Sequence, residues 1–302
     1  MARPLALKLF ESLPEARAVL ELLKPITWFP PMWAFGCGVV CASRVGAIAW
    51  WQVALGVLLT GPLVCGSSQA INDWFDREVD ALNQPARPIP SGRVPGHWGL
   101  CVAIGWSALS AAAAIPLGAF AFRATLLGLL LAWLYSAPPV RLKLNGWWGN
   151  SAVALCYEGL PWLTGAAIVS AAVPTRPELL LAALYSLGAH GIMTLNDFKS
   201  VGGDRQMGVG TLPVRLGVER AARLACWTMS VAQLAVIVVL IALNRGLFAL
   251  GVALLLAVQW WLMHRLLQRP RELAPWYNGT GITSYVLGML LSSFALRSLA
   301  AT

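Results

Sequence analysis

The chain has 302 residues, 58% of them hydrophobic and only 12% charged, with a mean hydropathy of +0.67. An ordinary soluble domain carries roughly 25% charged residues, so the composition excludes a soluble enzyme and a disordered scaffold and points to a polytopic membrane protein. Its net charge of +9 and pI of 9.7 do not call for a nucleic-acid partner, because the cations follow membrane topology, which suits anionic headgroups and phosphorylated substrates.

The first 24 residues hold Glu11, Glu15 and Glu21 and lack a basic start followed by a small-residue cleavage site. They read as a cytoplasmic, interfacial amphipathic helix rather than a secretory signal. Crossing a ~30 Å hydrocarbon layer takes about 20 helical residues, and such stretches are expected nine times, near 26–45, 49–71, 98–118, 119–137, 148–170, 178–196, 221–243, 246–264 and 280–299. Residues 25–302 are therefore expected to form one all-α transmembrane domain. With the N-terminus in the cytoplasm, all but five of the 22 Lys and Arg lie on cytoplasmic segments, the exceptions being Arg44, Arg123, Arg176, Arg245 and Arg297. That bias supports the orientation and the odd number of spans. The six cysteines, without CxxC spacing and mostly inside spans, read as small apolar residues. Trp28, Trp50, Trp51, Trp74, Trp98, Trp147, Trp148 and Trp276 sit near span ends and suit an interfacial belt.

The second span runs into INDWFDREVDALNQPARPIPSGRV, residues 71–94. If the helix continues, Asp73, Asp76 and Asp80 fall on one stripe within about 60°. Three carboxylates on a stripe repel unless cations sit among them, and Mg²⁺ is commonly held by one or two carboxylates plus substrate phosphate oxygens. LNDFKSVGGDRQMGVGTLPVRLG, residues 195–217, repeats the pattern: Asn196-Asp197 echoes Asn72-Asp73 four spans later, so both loops return to one membrane face. Asp197 and Asp204 share a face if the helix persists through Gly202-Gly203, which glycine disfavours. Two acidic clusters on one face would hold a metal-bound diphosphate, with Arg77, Arg87, Arg141, Lys143, Lys199 and Arg205 as cations for its oxygens; Arg93 is divided between that role and simple topology.

The two acidic segments, with YSAPPVRLKLNGWWGN, YEGLPW and GIMTLNDFKSVGGDR, resemble the UbiA-type intramembrane prenyltransferases. The resemblance covers essentially all the spans and is strongest to the chlorophyll and bacteriochlorophyll synthase branch. It implies a nine-helix bundle in a bacterial inner membrane with a cytoplasmic active site. The implied reaction is Mg²⁺-dependent transfer of a geranylgeranyl or phytyl group from its diphosphate to the propionate carboxylate of bacteriochlorophyllide, in bacteriochlorophyll biosynthesis. Asp73, Asp76, Asp80, Asp197 and Asp204 would hold two Mg²⁺ ions, with Asn72 and Asn196 beside the diphosphate. Gly202 stands where that family often has an acid, so the second ion would rest on Asp197 and Asp204 alone. Membrane lipid surrounds such an enzyme, and other pigment-assembly proteins could hand it the acceptor.

For the acceptor, Glu158 is the one acid well inside a span, where ionisable groups are costly; pigment recognition and a structural hydrogen bond both account for it. His190 lies seven residues before Asp197 on the same helical face and would either ligate the pigment's central Mg²⁺ or bond within the bundle. Tyr135 and Tyr157 would line the pocket or simply pack. A transporter should carry ionisable groups at mid-span, a CDP-alcohol phosphotransferase should show a DG-containing aspartate signature, and a purely pigment-binding protein needs no paired acidic loops. Prenylation of chlorophyllide or of a quinone precursor remains the rival, since the diphosphate half would be shared.

Overall fold

A computed structural model describes residues 12–42 and 48–300. The first eleven residues of the expected interfacial helix, and the end of the first expected span with Arg44, lie outside the described residues. The elements are α1 (Ala16–Leu22), α2 (Phe29–Ala42), α3 (Trp50–Asn83), α4 (Trp98–Ala114), α5 (Ala119–Ser136), α6 (Gly146–Ser170), α7 (Arg176–Asn196), α8 (Val201–Gln206), α9 (Leu212–Leu216), α10 (Val218–Ala242), α11 (Gly246–Leu266) and α12 (Pro270–Ala300). The fold is all-α. Eight helices among the described residues, α3 to α7 and α10 to α12, are long and apolar enough to cross a membrane. The remaining expected span corresponds to α2, which has 14 residues. It starts later than expected because Pro25–Thr27 forms a separate 3₁₀ turn and the helix begins only at Phe29, where Pro30 and Pro31 occupy first-turn positions that need no N–H partner; the expected span's far end lies outside the described residues.

Prolines also shape the long helices. Pro62 lacks an N–H and its ring crowds the carbonyl four residues back, and α3 accommodates it by a π-helical segment over Leu59–Cys65. A second π segment, Leu155–Gly159, precedes Pro161 in α6. Such widened turns re-aim the side chains beyond them. At ~1.5 Å per residue, the 34 residues of α3 reach about 50 Å, well beyond the hydrocarbon thickness, so its polar C-terminal half projects past the apolar part.

The contacts group the chain into two compact units, residues 1–32 with 54–141, and residues 33–53 with 142–302. In the first, α4 and α5 pack on α3, and α1 lays Ala18 and Leu22 against a core with Ala70, Ile71, Val94 and Ala103. Arg93 fixes α1 from outside through two bonds to Glu21, 2.6 and 3.0 Å, and is itself anchored by donating to the Ala86 carbonyl of its own loop, 2.7 Å. The guanidinium beside it holds the Glu21 carboxyl below its usual range. In the second unit α7 is central, contacting α6, α10 and α12, while α11 contacts α10 and α12. Trp162 stacks on Tyr185 at 5.6 Å, and the Tyr185 hydroxyl meets Ser292 at 2.7 Å. Gly38 and Gly165 let the α2 and α6 backbones touch: a Cβ at either would collide with the carbonyl of Trp162 or of Phe35, respectively, the small-residue packing that membrane helices use in place of a hydrophobic driving force. The six cysteines are free thiols, four of them buried. Trp50, Trp51 and Trp148 are exposed as a belt requires, but Trp74 is buried.

Candidate active site

The helix containing Gly66–Asn83 does run unbroken through the first acidic segment, so Asp73, Asp76 and Asp80 form the expected stripe. Asp73 and Asp80 are buried, and Asp76 is half-buried. Like charges at this spacing are costly in a low-dielectric setting, and cations from three places offset them. Lys24 Nζ lies 2.6 Å from Asp73 Oδ1. Arg87 lies 2.6 Å from Asp80 Oδ2 and 3.4 Å from Asp73 Oδ1. Arg141 approaches Asp76 Oδ1 at 3.8 Å, and Asn72 donates to Asp76 Oδ2 at 3.1 Å. The other oxygen of Asp73, Oδ2, is buried with no hydrogen-bond partner among the described residues. A desolvated carboxylate oxygen left bare is costly, and it is a ready ligand for a hard cation.

Not every expected cation joins this cluster. Arg77 donates to the Trp74 carbonyl at 2.8 Å and lies over the Trp74 ring at 4.3 Å, because one residue's rotation of ~100° turns it off the Asp76 stripe. Arg93 is taken by Glu21, as above.

In the other unit, α7 ends at Asn196, a 3₁₀ turn covers Asp197–Lys199, and α8 restarts at Val201. The helix therefore does not persist from Asp197 to Asp204, and its break falls before the two glycines, which lie inside α8. Asp197 Oδ2 accepts from Asn150 of α6 at 3.2 Å. Asp204 is buried, and its Oδ2 accepts from Ser200 at 2.7 Å and Thr211 at 3.2 Å. Asn278 of α12 donates to Asn196 Oδ1 at 2.7 Å. Lys199 and Arg205 are exposed beside this loop, and Lys143 is half-buried. The start of α6 is held by Asn145, whose side chain caps the Trp147 and Trp148 amides at 3.0 and 3.5 Å and whose backbone bridges to Gly210, joining the α6 start to the loop that follows Asp204.

Lys24, Asn150, Ser200, Thr211 and Asn278 were not singled out by sequence reasoning. Lys24 had a visible signal only as a cation before Pro25, and Asn150 lay in the GWWGN motif without an assigned role. Of the acceptor candidates, Glu158 is 5% exposed and its Oε2 has no partner among the described residues. His190 stacks on Trp147 at 5.8 Å, while Tyr135 and Tyr157 are half-buried.

The donor set is oxygen throughout, and no three metal-ligating side chains converge on one point among the described residues. The all-oxygen donors suit Mg²⁺, which fills its octahedron with water and substrate oxygens, better than zinc, which favours Cys and His.

Residues 29–295 match the UbiA prenyltransferase family. The chain is similar to the bacteriochlorophyll synthase 33 kDa chain of Cereibacter sphaeroides, 55% identical over 288 residues that cover 95% of each. It is also similar to the chloroplastic chlorophyll synthase of Arabidopsis thaliana, 36% identical over 91% of this chain and 73% of that one. Among solved structures, a UbiA homolog from Archaeoglobus fulgidus bound to DMAPP and Mg²⁺ superposes with a TM-score of 0.72 at 21% identity, over 93% of this chain and 99% of that one. The chain is thus a multi-pass membrane enzyme that transfers prenyl groups, and it belongs to the UbiA prenyltransferase family.

Proposed function

We propose that the chain is a bacteriochlorophyll synthase, esterifying the propionate of bacteriochlorophyllide with a C20 prenyl group from geranylgeranyl or phytyl diphosphate at the cytoplasmic face of a bacterial inner membrane. The observation that carries this reading is the 55% identity to a bacteriochlorophyll synthase chain over 95% of both lengths. We further propose that residues 25–302 work as one prenyltransferase domain in which both acidic motifs serve a single diphosphate. Asp73, Asp76 and Asp80 would hold one Mg²⁺ ion, and Asp197 and Asp204 a second. When bound, the metal supplies neutralisation of the charge that builds on the leaving diphosphate. The bare Oδ2 of Asp73 and the all-oxygen donor set support this assignment.

Bond changes balance without a general base. The allylic C1–O bond breaks, the diphosphate carries away the electron pair, and an oxygen of the acceptor carboxylate, already anionic at neutral pH, forms the new bond to C1. Lys24, Arg87 and Arg141, which rest on the aspartates in this structure, would shift onto diphosphate oxygens as the leaving group develops charge. Apolar walls keep water from the allylic cation. The test is a competition in membranes containing the protein, with geranylgeranyl diphosphate, Mg²⁺, and equal bacteriochlorophyllide, chlorophyllide and 4-hydroxybenzoate. Esterified bacteriochlorophyllide is the expected main product. Prenylated hydroxybenzoate as the main product would overturn the acceptor assignment.

Glu158 is proposed to recognise the acceptor, with Tyr135, Tyr157 and His190 shaping its pocket. The support is its buried Oε2, which has no hydrogen-bond partner among the described residues. Glu158→Gln is expected to lower kcat/KM for bacteriochlorophyllide roughly tenfold, the size of one hydrogen bond, while changing its rate relative to chlorophyllide. An identical loss with both acceptors would assign Glu158 to the bundle instead.

A further inference from the structure

The outer seam between α11 and α12 carries two concavities that the prenyl-transfer site does not use. One, of about 450 Å³, is lined only by apolar side chains, among them Gly251, Leu254, Val258, Leu287, Leu291 and Phe294. Gly251 keeps its floor open, since a Cβ there would come within 3.0 Å of the Leu291 side chain. The other, of about 600 Å³, is lined by Trp261, His264, Arg265, Arg269 and Trp276, with Gln268 and Leu273.

Both lie along one stripe of each helix. On α11, residues 251, 254, 258, 261 and 265 fall within an arc of about 80°, and on α12 residues 273, 276, 287, 291 and 294 fall within about 60°. From Gly251 to Arg265 the rise is ~21 Å, comparable with one bilayer leaflet from the acyl interior to the headgroup. Asn278, which touches the second acidic motif, lies on another face of α12. The seam is thus apolar along one stretch and cationic and aromatic at its end.

The polar end has free capacity. Arg265 lies over the Trp261 ring at 4.1 Å, a stacking that orients the guanidinium without using its donors on an anion. Among the described residues Arg269 pairs with Glu272 alone, at 3.1 Å, with both side chains about two-thirds exposed, an arrangement that contributes little and yields easily to a better anion. Tryptophans at headgroup level and arginines in a pocket between transmembrane helices are the features that recognise anionic lipid headgroups.

We propose that the α11–α12 seam is a binding site for an anionic bilayer phospholipid, its phosphate held by Arg265 and Arg269 against the Trp261 and Trp276 rings and its acyl chain laid in the Gly251–Phe294 groove. The test uses the full-length protein in nanodiscs of equal phosphatidylglycerol and phosphatidylcholine, with lipids retained after release counted by native mass spectrometry. Wild type is expected to retain phosphatidylglycerol over phosphatidylcholine. Retention should fall on the order of tenfold in R265Q/R269Q and stay unchanged in R220Q/R223Q, where two exposed arginines of α10 are removed outside the seam. No preference in wild type, no loss in R265Q/R269Q, or an equal loss in R220Q/R223Q overturns the site. Geranylgeranyl diphosphate is added as a competitor: displacement of phosphatidylglycerol in wild type but not in R265Q/R269Q would assign the seam to the prenyl donor and overturn the lipid assignment.

Discussion

Asp73→Asn is expected to lower turnover by about 10²–10³-fold or more with every acceptor, while the protein still inserts and folds. Asparagine keeps the shape and one acceptor oxygen, so Lys24 can still donate where it now meets Oδ1 at 2.6 Å. What disappears is the negative charge and the anionic Oδ2 that no donor among the described residues satisfies. Lys24 and Arg87 are about a quarter exposed, so water screens the cations left behind and the stability cost is on the order of 1 kcal/mol. A large kinetic loss with a small change in thermal stability therefore separates a metal ligand from a structural ion pair. Asp76→Asn should behave alike. The check is steady-state esterification across a Mg²⁺ titration, with thermal melting in parallel. Near-normal, Mg²⁺-dependent activity in Asp73→Asn would sink the assignment of the first motif.

The parts of the site that were legible in the sequence are those in which neighbours in space are also neighbours along one helix. Asp73, Asp76 and Asp80 could be read because α3 continues as a regular helix and the spacing of three, then four, residues converts directly into a stripe. Arg77 marks where that conversion stops: lying on the same membrane face as the acids made it one of several cations for diphosphate oxygens, but one residue past Asp76 on a helix is a ~100° turn away, and the arginine rests on Trp74. Lys24 was illegible for another reason. It is 49 residues from Asp73, and it reaches the acids after a left-handed backbone at φ 48° redirects the chain into the Pro25–Thr27 turn. Asn150 likewise meets Asp197 across 47 residues. The all-α class and most spans followed from apolar run length, whereas the start of α2 depended on where a proline-rich entry lets a helix begin.

The second motif poses a sharper question, because Asp204 has two jobs that ordinary truncation would confuse. One of its oxygens accepts from both Ser200 and Thr211, and its backbone closes the same loop, with the Asp204 amide on the Ser200 carbonyl at 2.9 Å and the Val209 amide on its own carbonyl at 2.8 Å. Asp204→Ala should therefore both remove a metal ligand and leave two hydroxyls without their shared acceptor, at a cost of about 1–3 kcal/mol. Asp204→Asn keeps an acceptor oxygen for those hydroxyls and removes only the charge, so it should fold like wild type yet lose turnover about 10²-fold and need more Mg²⁺ for half-maximal activity. Ser200→Ala does the reverse, loosening the clasp while keeping the carboxylate, and should leave the Mg²⁺ requirement where it is. If Ser200→Ala shifts that requirement as far as Asp204→Asn does, Asp204 acts on the reaction through the shape of its loop and is not a ligand, and the second ion would then have only Asp197 to hold it.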